Sequence, residues 1–188
     1  DLSWFDGSRP VSLSDDGLAL LINESGDAAG RTGAYYLRKT DGSPAVKLGQ
    51  GEAIDLSADG KWVLAHHPDS RTNLVLQPTG TGTPITIDES SFESVGDAAL
   101  FPDGKRLLLA ATEPGKKRRL YVQELPSGKP RPITDRAFGF GKRPLTPDGR
   151  WIAAYGDWSE DMFLLPVEGG NPRTVPNSKD LDLIRWTP

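Results

Sequence analysis

The sequence predicts an all-β fold in which a unit of four short antiparallel strands is repeated about four times. Two different turn signals recur in phase along the 188 residues, which include 21 glycines and 16 prolines. The apolar residues form short clusters without helical periodicity. A period of about 44 residues with four strands per unit is typical of a β-propeller blade. We therefore expect about four blades and interpret the chain as a slice of a larger propeller.

The first turn signal carries Asp at its third position and Gly at its fourth, which suits a type I turn that ends in a left-handed residue. Its glycines recur every 43 to 45 residues. The four turns span residues 14–17, 57–60, 101–104 and 146–149. A continuous apolar run follows each turn and predicts a strand, strand B, that is buried on both faces. These strands are predicted at residues 18–22, 61–65, 105–109 and 150–154.

The second turn signal is Gly-x-Pro, at residues 42–44, 82–84, 128–130 and 170–172. An apolar run before it predicts strand C, at residues 35–37, 74–76, 120–122 and 162–165. A brief run after it predicts strand D, at residues 46–48, 85–87, 132–134 and 173–175. Proline at the start of strand D suits an outer edge strand, where a missing N–H interrupts no ladder. Strand A precedes each Asp-Gly turn.

The repeats predict a single β-propeller domain over residues 1–188. Its blades are expected at about 7–50, 51–90, 91–136 and 137–178, and residues 181–188 are expected to start a further strand.

Composition excludes several classes of site and partner. The chain has no cysteine, which excludes disulfides, thiolate metal sites and a cysteine nucleophile. A net charge of −4 without a long basic run disfavours a nucleic-acid partner. No apolar run is long enough to insert into a membrane, and the first residues, 1–4, lack the pattern of a targeting signal. We expect neither a cofactor nor a bound metal.

The Ser/Pro-Asp-Gly-Lys/Arg turns followed by a small apolar strand resemble the TolB-type, WD-like propeller repeats of bacteria. Residues 36–44 (YLRKTDGSP) and 120–125 (LYVQEL) are similar to the propellers fused to bacterial serine/threonine kinases and regulators. The resemblance implies a non-catalytic binding or sensor module in the periplasm or another extracytoplasmic site. Members of this family usually carry six or more blades, whereas this chain shows four repeats.

Candidate partner-binding residues lie in the loops that vary between the repeats, because variable loops on a rigid scaffold often carry function. These B–C and D–A loops are expected to share one face. The candidates are His66, His67, Lys116, Lys117, Arg118, Arg119, Arg136, Phe138, Phe140, Lys142 and Arg143.

Each group of candidates has an alternative interpretation. His66 and His67 could join Asp69 or Glu93 at a metal, or could be ordinary loop residues. The basic residues could form a patch for an acidic partner, or could keep a hairpin solvated. Phe138 and Phe140 could anchor a partner, or could fill the gap between neighbouring blades.

The predicted function is non-catalytic binding, or sensing, of a protein, peptide or envelope component through the variable-loop face. The chain has no Gly-x-Ser-x-Gly elbow, so a serine hydrolase is disfavoured. One alternative is a structural fragment that completes a larger propeller by oligomerisation. Two chains could then form an eight-bladed ring as a homodimer, whereas a monomer would require the four blades to close on themselves. A sugar-acting or hydrolytic propeller enzyme is the other alternative.

Overall fold

A computed structural model describes residues 7–157, 161–179, 181, 183 and 186. These residues form sixteen β-strands and one short 3-10 helix, η1 (Asp27–Ala29). Every strand belongs to one of four four-stranded antiparallel sheets, so the predicted all-β fold of four blades is confirmed. In the described part of the chain, no helix has both the length and the apolar character needed to cross a membrane.

The first compact unit, Asp1–Ser90, contains two blades. The first blade has the strand order β1-β2-β3-β4 and the second β5-β6-β7-β8, so each strand pairs with its neighbour in sequence. The strands of blade 1 are β1 (Ser8–Leu13), β2 (Ala19–Glu24), β3 (Ala34–Lys39) and β4 (Val46–Gln50). Those of blade 2 are β5 (Ala53–Leu56), β6 (Trp62–His66), β7 (Leu74–Pro78) and β8 (Ile85–Ile87).

The second compact unit, Ser91–Pro188, contains the other two blades, with the same meandering order. The strands of blade 3 are β9 (Ser94–Leu100), β10 (Arg106–Thr112), β11 (Arg119–Glu124) and β12 (Arg131–Pro132). Those of blade 4 are β13 (Phe138–Gly139), β14 (Trp151–Gly156), β15 (Met162–Pro166) and β16 (Arg173–Thr174). The sequence expectations for residues 1–4 lie outside the described residues, and the strand expected within 181–188 lies largely outside them.

The Asp-Gly turns adopt the predicted geometry. Their four glycines have φ between 66° and 72°, the left-handed region in which a Cβ is unfavourable. In blade 2, the Ser57 hydroxyl donates to Asp59 Oδ1 at 2.7 Å, and the same oxygen accepts the N–H of Lys61 at 3.1 Å. The hydrogen bond from Ser57 is the largest of several effects that lower the pKa of Asp59. The turn is therefore stabilised by its own side chains.

The turns of blades 1, 2 and 4 share this hydroxyl–carboxylate pair, and the turn of blade 3 does not. Ser14 donates to Asp16, and Thr146 donates to Asp148, each at 2.6 Å. In blade 3 the corresponding position is Phe101, whose ring is fully buried and lies 4.2 Å from the Arg106 guanidinium carbon. In that turn Asp103 accepts the Arg106 Nε–H at 2.9 Å, and the buried Phe101 ring takes the position of the hydroxyl.

Within the first unit, a buried amide joins the two blades. The side chain of Asn23 in β2 donates to the Ala53 carbonyl and accepts the Ala53 N–H, both at 2.9 Å. Asn23 is 7% exposed and Ala53 is 3% exposed. An apolar cluster from both blades surrounds this contact, and its buried members are Leu21, Tyr35, Ala53, Leu56, Val63 and Ala65. The amide therefore satisfies backbone groups that water does not reach.

Another buried polar side chain holds the start of blade 1. Glu24, at the end of β2, is 2% exposed. Its carboxylate accepts hydrogen bonds from the N–H groups of Gly7 (3.1 Å) and Gly26 (3.0 Å) and from the Ser8 hydroxyl (2.6 Å). Burial by itself raises the pKa of Glu24, but these hydrogen bonds outweigh it and leave the pKa lowered. The carboxylate is thus charged and structural.

Within the second unit, the contact between the blades is predominantly apolar. One face of blade 3 packs against blade 4 in a cluster that includes Leu108, Leu120, Phe138, Ile152 and Phe163, all 8% exposed or less. Phe138 meets Phe163 edge to face, with ring centroids 5.7 Å apart. This cluster lies directly beneath the variable loops of the unit.

Trp62 and Trp151 occupy the same place in strand B of two blades, which predicts that both are buried in the core between blades, and the structure does not confirm this. Both are only partly buried, because each begins strand B beside the Asp-Gly turn, opposite a proline in strand C: Pro78 and Pro166 respectively. The Arg173 guanidinium carbon lies 4.4 Å from the centre of the Trp151 ring. Trp158, which the sequence places in a B–C loop and predicts to be surface-exposed, lies outside the described residues.

Candidate functional site

The predicted basic cluster does not form a uniformly positive surface. Its four members, Lys116, Lys117, Arg118 and Arg119, lie at the β10–β11 hairpin, and each pairs with a carboxylate. Glu113 pairs with both Lys116 and Arg119, the latter at 3.1 Å. The hydrogen bond from Lys116 is the largest effect that lowers the pKa of Glu113. Each cation of this hairpin therefore lies beside a carboxylate.

The other two cations of the cluster pair with acidic residues from more distant strands. Arg118 Nη1 lies 3.7 Å from Asp97 Oδ2, and Lys117 Nζ lies 3.6 Å from Asp157 Oδ2. Asp97 belongs to β9 of the same blade, whereas Asp157 follows β14 of blade 4. The Lys117–Asp157 pair brings the hairpin of blade 3 to the edge of blade 4.

Both pairs border a groove, hereafter the Arg118 groove. It has a volume of about 300 Å³ and is lined by Asp97, Arg118, residues 137–140 and residues 155–157. These residues lie at the B–C and D–A ends of blades 3 and 4, the side on which the sequence placed the variable loops. Arg118, Phe138 and Phe140 are the sequence-predicted candidates that the structure brings together here.

Two glycines, one repeat apart, make room for Arg118. A Cβ on Gly139 in β13 would lie 3.0 Å from Arg118 Nη2, and a Cβ on Gly96 in β9 would lie 3.3 Å from Arg118 Nη1. The guanidinium therefore rests against strand A of both blades. Its side chain remains 50% exposed, so it is positioned but still open to a ligand.

The two phenylalanines form the floor of the groove rather than an exposed anchor. Phe138 is 3% exposed and Phe140 is 8% exposed, and both belong to the core cluster of the second unit. Because little of either ring reaches solvent, the structure favours the gap-filling alternative. Tyr155 is only partly buried and supplies an accessible aromatic wall.

Arg136, Lys142 and Arg143 are exposed on the loops before and after β13. None of the three is among the residues that line the Arg118 groove. Arg143 has a positive φ of 50°, and its carbonyl accepts a hydrogen bond from the Trp186 indole at 3.1 Å. Of the basic residues that the sequence grouped in one patch, Arg118 lines this groove and these three do not.

The two histidines lie in the other unit, where β6 ends. His66 is its last residue, and the Nδ1 atom of His67 accepts the Asp69 N–H at 3.2 Å. This bond is local to the loop. No group of three or more His, Asp or Glu side chains placed to hold a metal occurs among the residues that the structure describes.

A second groove of about 340 Å³ lies on blade 3, lined by Phe92, Glu113, Lys116 and Tyr121 among others. Tyr121 is 1% exposed and meets Phe92 edge to face at 4.8 Å. Burial is the largest effect on the Tyr121 phenol and raises its pKa. Because its hydroxyl is shielded from solvent, this groove offers fewer accessible polar groups than the Arg118 groove.

Sequence reasoning did not single out Asp97, Asp157 or Gly139, which line the Arg118 groove, or Gly96, which lies beside Arg118. The sequence places Asp97 in a variable loop and Gly139 in a glycine-rich loop, and neither position alone indicates a site residue. The available signal was the repeat itself, since Gly96 and Gly139 occupy nearly equivalent places before successive Asp-Gly turns. Two glycines at matching positions predict space for a side chain that crosses between blades.

Comparison with solved structures shows a TolB-like β-propeller fold. TolB from Acinetobacter baumannii superposes with a TM-score of 0.65 and 18% identity, over 89% of this chain and 43% of that one. A provisionally assigned TolB from Agrobacterium tumefaciens gives 0.69 and 18% identity, over 86% and 62%. An oligogalacturonate lyase in complex with manganese gives 0.67 and 17% identity, over 87% and 50%.

The chain thus spans between 43% and 62% of the length of these similar proteins. No protein-family model matches the sequence, and no curated protein matches it. At identities of 17–18% the likeness establishes the fold, which is shared here by proteins with different names and different chemistry.

Proposed function

We propose that this chain is a non-catalytic binding module that holds a peptide segment of a partner in the Arg118 groove. The single observation that carries the proposal is the placement of Arg118. Its guanidinium rests against Gly96 and Gly139 in two blades, yet half of the side chain remains open to solvent. An arginine held in this way has already lost much of its conformational freedom, so that binding a ligand costs less conformational entropy.

The surroundings of Arg118 support binding rather than proton transfer. Asp97 and Asp157, the carboxylates that line the groove, each face a cation at 3.6–3.7 Å. They balance Arg118 and Lys117, and both are about half exposed. The buried apolar floor beneath them keeps the groove rigid. Rigid concave surfaces with a few polar groups are typical of recognition sites.

Selection from a random dodecapeptide library on the immobilised protein tests this proposal. We expect enriched peptides whose affinity, measured by fluorescence anisotropy, falls about tenfold or more in Arg118→Ala. Lys129→Ala is the matched control, because Lys129 is an exposed cation at the Gly-x-Pro turn of the same blade. Failure to enrich any peptide, or equal losses in both variants, would contradict the proposal.

Catalysis is the competing function, since one similar fold belongs to an oligogalacturonate lyase in complex with manganese. Incubation with oligogalacturonate and Mn²⁺, followed by the ultraviolet absorbance of an unsaturated product, separates the two. We expect no turnover. Turnover that depends on the chain would overturn the non-catalytic assignment.

An extracytoplasmic location is a further part of the proposal and rests on the resemblance to TolB-type repeats. The completion of a larger propeller is the alternative role and rests on the count of four blades. Light scattering coupled to size exclusion measures the second directly. A mass of twice the chain's 20.3 kDa supports pairing of two copies into an eight-bladed ring. A mass equal to one chain contradicts it.

A further inference from the structure

The charges around the Arg118 groove form a dipole rather than a patch of one sign. Arg118 and Asp97 stand together on blade 3, while Asp157 of blade 4 meets Lys117 at the other side. The four side chains have a formal net charge of zero. A ligand with a single strong charge, such as a phosphate dianion, would meet two carboxylates as well as two cations. A ligand that carries both signs complements this arrangement better.

Arg118 retains hydrogen-bonding capacity for a carboxylate. Its distance of 3.7 Å to Asp97 is an ion pair too long for a hydrogen bond. The planar guanidinium has five N–H donors, which match the two oxygens of a carboxylate. Gly96 and Gly139 fix its position without supplying side-chain acceptors. A ligand carboxylate can therefore bind the Arg118 guanidinium without first displacing a strong hydrogen-bond partner.

Asp157 is equally open to a ligand cation. Its side chain is 53% exposed, and its partner Lys117 is 81% exposed at 3.6 Å. Exposed pairs of this kind contribute little free energy because water screens them. Lys117 can therefore swing away when a ligand cation replaces it. Between the two charged positions, Tyr155 offers an aromatic wall for the aliphatic part of the ligand.

We propose that the Arg118 groove recognises a dipolar peptide segment, with a carboxylate on Arg118 and a neighbouring cationic side chain on Asp157. The inference rests on the proposed function and specifies its ligand. An acidic side chain and a free carboxyl terminus present the same group to Arg118. The cationic side chain is the feature that distinguishes this ligand from a simple acidic peptide.

Titrations with defined peptides, followed by the amide chemical shifts of groove residues, test the inference. The probes are short glycine-based peptides, acetylated and amidated, that carry Glu and Lys, Glu and Gln, Gln and Lys, or Gln and Gln. We expect the Glu–Lys peptide to bind about three- to tenfold more tightly than either singly charged peptide. A Gln–Lys peptide with a free carboxyl terminus distinguishes a terminal carboxylate from a side-chain one, and inorganic phosphate serves as the competing anion.

Variants assign each charge to its partner. Arg118→Gln is expected to abolish the preference for Glu and to keep that for Lys, whereas Asp157→Asn is expected to do the reverse. Gly139→Ala should displace the guanidinium and weaken every carboxylate peptide. Gly141→Ala is its matched control, because a Cβ there meets only Tyr155, at 4.0 Å.

Equal binding of the Glu–Lys and Gln–Gln peptides, or a stronger effect of phosphate than of the Glu–Lys peptide, would overturn the inference. Library peptides that bind in the groove without any charge preference would overturn it while leaving the proposed function intact. If no peptide of either kind binds, the proposed function fails as well.

Discussion

Both units join their blades through an apolar cluster, but they differ in the polar groups beside that cluster. In the first unit, Asn23 forms two hydrogen bonds with the backbone of Ala53 in a place that water does not reach. In the second unit, an apolar cluster containing Phe138 performs the joining, and Arg118 lies above it half in solvent. Because the polar groups of the first contact bond fully to each other, that contact leaves no hydrogen-bond donor or acceptor for a ligand. The second contact has exposed polar groups above a stable floor, which is why we place the binding site there.

The largest expected effect comes from the floor of the second unit. Phe138→Ala should lower the free energy of unfolding by about 3–5 kcal/mol, because it removes a buried ring that packs on Phe163. Urea denaturation measures the change. Phe138→Leu, which retains most of the apolar contact, should cost less. A loss below about 1 kcal/mol in Phe138→Ala would favour the exposed-anchor interpretation instead.

The next effect tests the amide of the first unit. Asn23→Ala should cost about 2–4 kcal/mol, since it leaves the N–H and carbonyl of buried Ala53 without partners. Asn171→Ala at an exposed turn is the matched control and should be nearly neutral. Amide hydrogen exchange of β2 and β5 localises the loss. If Arg118→Ala destabilises the protein as much as Asn23→Ala, the contrast between the two contacts is wrong.

The Asp-Gly turns are common to both units and should respond alike in both. Gly60→Ala and Gly104→Ala place a Cβ at φ of 68° and 66°, which should cost about 1–2 kcal/mol each. Gly80→Ala controls for the substitution itself, because its φ is not positive and a Cβ there meets no atom within 4 Å. Thermal unfolding measures all three. Unchanged melting temperatures in both turn variants would refute the turn assignment.

The smallest effect depends on pH. The pKa of Glu24 is lowered in the folded protein below its ordinary value of 4.5, so ionised Glu24 contributes stability above that value. The contribution is lost as the pH falls through the folded pKa. Glu24→Gln should therefore be less stable than the parent at neutral pH, and the difference should shrink in acid. A difference that stays constant from neutral to strongly acidic pH would show that the charge of Glu24 is not stabilising.

The fold could be read from the sequence because its determinants are local and repeated. Turn residues such as Gly60 and Gly104 fix the hairpins, and the in-phase repeats reveal the blades without any long-range information. The groove could be predicted only in part. Arg118 was visible as a member of a basic run, but the carboxylates Asp97 and Asp157 are distant from it in sequence. The pairing of Asp157 with Lys117 also depends on how blades 3 and 4 meet.

The tryptophans show the same limit. Trp62 and Trp151 follow the turns in register with apolar strands, so the pattern predicted burial. Whether such a position is covered depends on the neighbouring strand at the sheet edge, from which Arg173 lies over the Trp151 ring. Repeat patterns therefore identify which residues correspond to one another, while the packing of each blade decides their environment.

Because the side chains of each Asp-Gly turn stabilise that turn locally, such a chain can gain repeats by duplication. In the turn of blade 2, Ser57 and Asp59 bond to each other and to the next residues, so the hairpin carries its own folding information wherever it is copied. A duplicated repeat would therefore already contain the residues that specify its Asp-Gly turn. Phe101 in the third repeat shows how the sequence of such a turn can then diverge. Where a repeat packs against a neighbouring blade, a buried aromatic ring can replace the hydroxyl residue of the turn.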